Sequence, residues 1–302
     1  MSTAVMTALD STTTTKFESQ PLSALPRLAA RLRLDIIQMI YEAQSGHPGT
    51  SLSCIDILSY LWFHRMQHNP SQPDWADRDR FILSKGHGAP ALYAVLMEAG
   101  YIPKEEIHTL RRVHSNLQGH PASRYVQGVD ISTGSLGQGL SCAVGMALGH
   151  RLDKRTSRIF TLLGDGECQE GNVWEAVLSA AQHKVSAVTA IVDRNQLQID
   201  GDTEKIKGLG DLGPKFEAFG WNVINDVDGH DFAALDQAIR QADDWAKTSD
   251  PFYSKPTAII TKCTKGKGVS FMENQAGWHG KAPNTEQYEK AMAELREALN
   301  QL

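Results

Sequence analysis

Between Leu162 and Trp174 the chain reads LLGDGECQEGNVW, a bend in which Asp165 sits between Gly164 and Gly166. A loop that cradles phosphate with its own backbone N–H groups avoids negative charge, so an acid at this bend needs another role. The strand-like run RIFTLL leads into the bend, a helix is expected from about Val173 to Gln182, and the next apolar run, AVTAIVD, ends at Asp193-Arg194-Asn195. In an open parallel sheet the ligand crevice lies at the carboxyl ends of the strands, where Asp165 and Asn195 would both face it. A carboxylate and a carboxamide oxygen, with glycines admitting close approach, suit a hard cation such as magnesium that keeps positions open for phosphate oxygens. Spacing alone leaves a second reading open, an ordinary tight turn with a solvated aspartate.

Competing phosphate and metal motifs fit less well. An EF-hand loop counted from Asp165 would need glycine sixth and an acid twelfth, where Glu170 and Ala176 stand. GSLGQGLS lacks the third glycine of a dinucleotide fingerprint, and the chain contains no GxxxxGK[ST]. Of the eleven histidines, His47, His87, His120 and His279 adjoin glycine in loops, where imidazole can approach a ligand and move protons near neutral pH. The remaining seven, His64, His68, His108, His114, His150, His183 and His230, read as packed or solvated. KCTKGKG reads as a basic and mostly solvated loop.

These residues need a frame that carries them. Apolar positions at helical spacing from about Leu22 to Gln44 end in SGHPG, so a helix delivers His47 to a loop. A second helical stretch, CIDILSYLWFHRM, is followed by a short strand, RFILS, that runs into KGHGAPALYAVLMEAG, and a polar helix is expected around Lys104–Val113. GSLGQG then feeds a helix of small residues, Ser141 to Gly149, suited to tight core packing or to a subunit interface. The β-type runs RIFTLLG, VSAVTAIVD and PTAIITKC, separated by helix-length segments, predict an α/β fold, a doubly wound and mainly parallel sheet covered on both faces. A polar helix, NTEQYEKAMAELREAL, closes the chain.

Composition narrows the function classes. With 302 residues, 41% hydrophobic and 22% charged, the chain can bury a large core. A net charge of -5 and the lack of a Lys/Arg cluster argue against nucleic acid. Cys54, Cys142, Cys168 and Cys263 are widely spaced without CxxC, which predicts free thiols and a reducing, cytoplasmic setting. Residues 1–21 are Ser/Thr-rich without a basic start or long apolar run, so they are expected to form a flexible tail and not a signal or membrane span, ahead of a domain over 22–302.

Taken together, GDGECQEGNVWEAVLSAAQHKVSAVTAIVDRN, SGHPG, SKGHGAPALY, GHP, STGSLGQGLS, KGKG and WHGKAPN resemble, in order, the N-terminal, thiamine diphosphate-binding half of a transketolase. The resemblance implies that Asp165, the Asn195 side chain and the Leu197 carbonyl hold a divalent cation, Mg2+ or alternatively Ca2+ or Mn2+. It implies that Gly134, Leu136, Gly164 and Gly166 line thiamine diphosphate, with Thr50, His87 and Lys265 beside it. His47 and His279 would bind and shuttle protons at the substrate carbonyl and hydroxyls, His120 would contact the donor hydroxyls, and Glu170 would link two cofactor sites across a subunit interface. Ser123 after GHPA and Arg194 before Asn195 depart from the family pattern, the first bearing on His120.

The same resemblance implies an enzyme that moves a two-carbon ketol unit from a ketose phosphate to an aldose phosphate. Its pyrimidine-binding domain and sugar-phosphate arginines would lie in a separate C-terminal subunit, so this chain is expected to be inactive alone and to work in an α2β2 heterotetramer. Split relatives acting on apulose phosphate or a sulfonated fructose remain alternatives for the substrate. Deoxyxylulose-phosphate synthase and a non-catalytic thiamine diphosphate-binding regulator are the alternatives of other classes.

Overall fold

The computed structural model describes residues 19–247 and 255–302. The tail expected over residues 1–21 therefore lies, up to residue 18, outside the described residues. The strands are β1 (Arg80–Leu83), β2 (Ile159–Gly164), β3 (Val188–Arg194), β4 (Leu197–Gln198), β5 (Gly201–Asp202), β6 (Asn222–Asp228) and β7 (Thr257–Lys262). The helices are α1 (Leu25–Ala43), α2 (Pro48–Tyr60), α3 (Ala89–Glu98), α4 (Gln138–Leu152), α5 (Gly171–Gln182), α6 (Thr203–Lys207), α7 (Leu212–Ala218), α8 (Phe232–Lys247) and α9 (Thr285–Asn300). Among the described residues, five strands form one parallel sheet in the order β1-β2-β3-β7-β6, and β4 pairs with β5 as a small antiparallel hairpin.

The pleat explains why both faces are covered. Along β1 and β2, Phe81, Leu83, Phe160 and Leu162 point into a core shared with α1, α2, α3 and α9, while Ile82, Ile159 and Leu163 point into the core under α4, α5 and α7. Strands buried on both sides read as continuous apolar runs, which is why β2, β3 and β7 are legible in the sequence. On α1, Leu28, Leu32, Ile36, Ile37 and Ile40 recur at helical spacing and are buried, each contributing about 1.5–3 kcal/mol by the usual transfer scale. Every residue of α2 is buried, so the helix that follows His47 runs through the interior. Among the described residues no helix is long and apolar enough to cross a membrane.

The structure departs from expectation in three elements. The helix expected over Lys104–Val113 is a single 3-10 stretch, Lys104–Thr109, because Arg111 and His114 adopt positive φ and break the repeat. β6 and the β4–β5 hairpin have no counterpart among the expected elements, and the hairpin matters because it begins at Leu197. The four cysteines, as expected, are free thiols.

Candidate active site

Because β1, β2, β3 and β7 lie side by side and parallel, their carboxyl ends deliver Lys85, Asp165, Asp193 with Asn195, and Lys265 to one crevice. Asp165 caps the 3-10 turn Gly166–Gln169; its Oδ1 accepts from Gly166 N at 2.8 Å and its Oδ2 from Gln196 N at 2.6 Å. The GDG bend is thereby tied to the turn after β3. Within that turn Asn195 Oδ1 accepts from Leu197 N at 3.1 Å, and Leu197 O accepts from Lys265 Nζ at 3.2 Å. The three oxygen donors assigned to a cation thus belong to two turns joined through Asp165. A lysine ammonium already leans on one of them.

Electrostatics favour a cation here. Asp165 is only 4% exposed, and burial, reinforced by Asp193, raises its pKa to about 7. Burial lowers Lys265 to about 8, against the opposing pull of Asp165 and Asp193. A buried carboxyl so reluctant to ionise is what a divalent cation would relieve. Among the described residues no three His, Cys, Asp or Glu side chains form a metal cluster of their own. A carboxylate, a carboxamide and a backbone carbonyl fit magnesium, which takes few protein ligands and keeps the rest for water and phosphate.

Close backbone packing builds the neighbouring cradle. Gly137, at φ +82°, precedes α4, and a Cβ there would lie 1.9 Å from Asn172 Oδ1. A Cβ on Gly86 would stand 2.7 Å from Gly134 N, so the GHG and STGSLG loops meet backbone to backbone. Leu136 O accepts from Asn172 Nδ2 at 3.4 Å. Glu167 binds the ends together: its carboxylate accepts from Ser84 Oγ at 2.5 Å, Gly137 N at 2.8 Å and Gly164 N at 3.0 Å. What results is a glycine-lined loop ahead of a fifteen-residue helix, held in place by the buried Glu167 carboxylate.

The four glycine-adjacent histidines converge. His47 stands 5.3 Å from His87, 5.5 Å from His279 and 6.3 Å from His120 between ring centroids, and His87 stacks on His279 at 5.0 Å. Burial is the main reason that His47 is lowered to about 4 and His279 to about 3, and it also lowers His87 and His120. All four are neutral near pH 7, able to donate and accept at hydroxyls and carbonyls. Lys265 Nζ donates to His279 Nδ1 at 3.0 Å, which leaves the imidazole proton on Nε2.

Thr50, at the start of α2, accepts from Lys85 Nζ at 3.2 Å through its Oγ1. Glu170 is exposed at the start of α5 and stands outside the histidine group. Several site residues carry no signal in the sequence: Lys85 and Asp193, a buried ion pair; Glu167, overshadowed by Glu170; and Arg111. The Arg111 backbone has φ +58°, its Nη2 lies 3.4 Å from His47 Nδ1, and its guanidinium packs so closely on Gly119 that a Cβ there would come 2.7 Å from Cζ. Positive φ outside glycine is the missing signal, and sequence does not print it. After burial, Arg111 is the next cause of the low His47 pKa. In Arg111→Gln, NMR titration of the His47 ring should therefore show its pKa rising by about one unit. An unmoved titration would remove Arg111 from the electrostatics of the site.

Comparison with known proteins places the chain in a family. Residues 26–299 match the family model described as "Transketolase, thiamine diphosphate binding domain". The chain is 40% identical over 270 residues to one of the subunits of the apulose-4-phosphate transketolase of Phocaeicola vulgatus, covering 89% of this chain and 93% of that one. It is 43% identical over 250 residues to the 6-deoxy-6-sulfo-D-fructose transketolase subunit SqwG of a Clostridium species, covering 83% and 88%. The solved transketolase of Campylobacter jejuni superimposes with a TM-score of 0.83 at 35% identity over 92% of this chain but only 43% of its own length. By its motifs, its fold and these likenesses, the chain belongs to the transketolase thiamine diphosphate-binding family.

Proposed function

We propose that residues 22–302 form the diphosphate-binding domain of a transketolase whose pyrimidine-binding domain is supplied by a separate C-terminal subunit, in a cytoplasmic α2β2 assembly. The observation that carries this reading is the convergence of the Asp165, Asn195 and Leu197 oxygens with Lys265 and four neutral histidines in one crevice. The two relatives that this chain covers almost end to end are themselves named as transketolase subunits.

In this reading Asp165, Asn195 and the Leu197 carbonyl hold Mg2+, or Ca2+ or Mn2+ in its place. Gly134, Leu136, Gly164 and Gly166 line thiamine diphosphate, while Thr50, His87 and Lys265 flank it. Bound thiamine diphosphate supplies a carbon nucleophile that accepts the two-carbon ketol unit and accommodates the negative charge left on it. The protein's own part is positional and protonic. His47 and His279, neutral and facing each other, take and return a proton at the substrate carbonyl and hydroxyls. His120, on the exposed rim, binds donor hydroxyls. The neutral imidazoles replace bulk water around the reacting carbon with fixed donors and acceptors, which lowers the cost of charge development. Glu170, exposed and free of a capping bond, would reach the cofactor site of a neighbouring protomer.

The test is ketol transfer from xylulose 5-phosphate to ribose 5-phosphate with thiamine diphosphate and magnesium, using the chain alone and then co-purified with the product of the neighbouring reading frame. Activity is expected in the pair, with a loss of roughly 10²-fold or more in Asp165→Ala, since that change removes the charged ligand of the cation that would hold the cofactor's diphosphate. Full activity of the chain alone would overturn the two-subunit reading, and a pair that binds no thiamine diphosphate would point to the non-catalytic alternative. A second substrate reading is favoured by the names of the two subunit relatives. A pair that binds cofactor but ignores xylulose 5-phosphate should be offered apulose 4-phosphate and 6-deoxy-6-sulfofructose.

A further inference from the structure

Lys265 is 1% exposed, yet it sits in a loop between β7 and α9 whose sequence reads as a solvated basic stretch. A long cationic side chain does not stay buried unless its backbone is fixed. The fixing groups belong to α1, α2 and the β6–α8 turn. His230, in the β6–α8 turn, has Nε2 as acceptor for Thr264 N at 2.8 Å, so its proton is on Nδ1, which donates to Asp56 Oδ2 at 2.7 Å. Asp56, on α2, also receives Arg33 of α1 in a bidentate pair at 3.0 and 2.6 Å, and Arg33 Nε donates to Lys267 O at 3.1 Å. The network therefore grips the loop on both sides of Lys265, at Thr264 and at Lys267. Between them Gly266 N donates to Gly49 O at 2.9 Å, two residues from His47.

We infer that His230, with Asp56 and Arg33, is a positioning residue that holds Lys265 against Leu197 O and His279 Nδ1. The His230 ring is hydrogen-bonded to Asp56 and to the Thr264 amide, and it acts through that amide. The same Asp56 joins the loop to α2, so the element that starts at His47 and Thr50 and the element that carries Lys265 are registered against one buried carboxylate. This inference gives the Lys265 assignment its structural support and rests on that reading only for its bearing on catalysis.

The test reads Lys265 itself, in the whole chain without cofactor. Limited acetylation with N-hydroxysuccinimide acetate at about pH 10, where Lys265 is substantially deprotonated both buried and released, is followed by peptide mass spectrometry at Lys265, at exposed Lys290, and at buried Lys85. His230→Phe keeps a ring of similar bulk but removes the acceptor for Thr264 and the donor to Asp56. Lys265 is expected to react at least tenfold faster in this variant, with Lys85 and Lys290 unchanged. His230→Gln, whose carboxamide oxygen can still accept from Thr264, should keep Lys265 within about twofold of the parent, and it serves as the test should His230→Phe fail to fold. Unchanged Lys265 reactivity in His230→Phe, a parallel rise at Lys85, or a tenfold rise in His230→Gln would each overturn the inference. Because no turnover is measured, failure of the ketol-transfer assay would leave this result standing.

Discussion

In metal-free buffer, Asp165→Asn should lose about 2–3 kcal/mol less stability than the parent between pH 5 and pH 8, and it should no longer be stabilised by magnesium with thiamine diphosphate. Asp165 is buried at the end of β2, and burial, helped by Asp193, raises its pKa from 3.8 to about 7. A raised carboxyl pKa means that the folded chain keeps a proton that the unfolded chain has already released. The contribution of Asp165 to stability is then greatest below pH 3.8, falls as pH rises toward 7, and is level above it, with a slope near 1.4 kcal/mol per pH unit in between. Asparagine does not titrate, so the difference between the two unfolding curves isolates this group from the histidines. Asparagine also forfeits one of the two backbone bonds at Gly166 N and Gln196 N, which offsets the curve by about 1–3 kcal/mol without tilting it.

The ligand arm has the opposite sign. A cation shared between Asp165 and a diphosphate stabilises the folded parent by about 2.7 kcal/mol at a hundredfold excess over Kd, and the variant, lacking the charge, should gain little. Parallel pH curves would show that Asp165 is not the buried titrating acid. Equal stabilisation of both proteins by magnesium and thiamine diphosphate would show that it is not the cation ligand.

Asp165 is legible because glycines bracket it at the end of an apolar run, and the four clustered histidines because each adjoins a glycine at an element boundary. In both cases local chain geometry leaves a trace in sequence. Lys85 and Asp193 leave none: they are 108 positions apart, and only the adjacency of β1, β2 and β3 brings them together. β6 is hidden because it is an edge strand, largely half-buried or exposed, and interrupted by a bulge at Ile224–Val227 where Asp226 takes φ +59°. Its apolar alternation is broken at the place where the pairing slips. The β4–β5 hairpin has two residues per strand, too few for any period, although Leu197 at its start carries the carbonyl that Lys265 holds. His230 shows the converse. A histidine next to glycine in VDGHD resembles the four in the crevice, but the parallel sheet turns it toward Asp56, and only the fold distinguishes it from them.

The Lys85–Asp193 pair supports the second large effect. Both side chains are essentially fully buried, 1% and 0% exposed, and Asp193 Oδ1 also accepts from Ser53 Oγ at 2.9 Å and from Asn195 Nδ2 at 3.0 Å. The carboxylate thus turns the Asn195 carboxamide so that its oxygen, and not its nitrogen, is presented beside Leu197. Lys85→Met keeps most of the side-chain volume but strands a buried charge, and a loss of about 3–5 kcal/mol is expected in unfolding experiments at pH 8. The deficit should shrink toward pH 5: without Lys85 the folded pKa of Asp193 rises above its unfolded value, so the variant regains stability as the carboxyl takes up a proton. Lys85→Met with Asp193→Asn removes the stranded charge and should recover at least about 2 kcal/mol of the loss, since replacing both partners of a buried pair costs far less than removing one. A single variant that loses less than about 1 kcal/mol would mean that the pair is not held by its charge. A double variant as unstable as the single, at both pH values, would assign the loss to packing around Thr50.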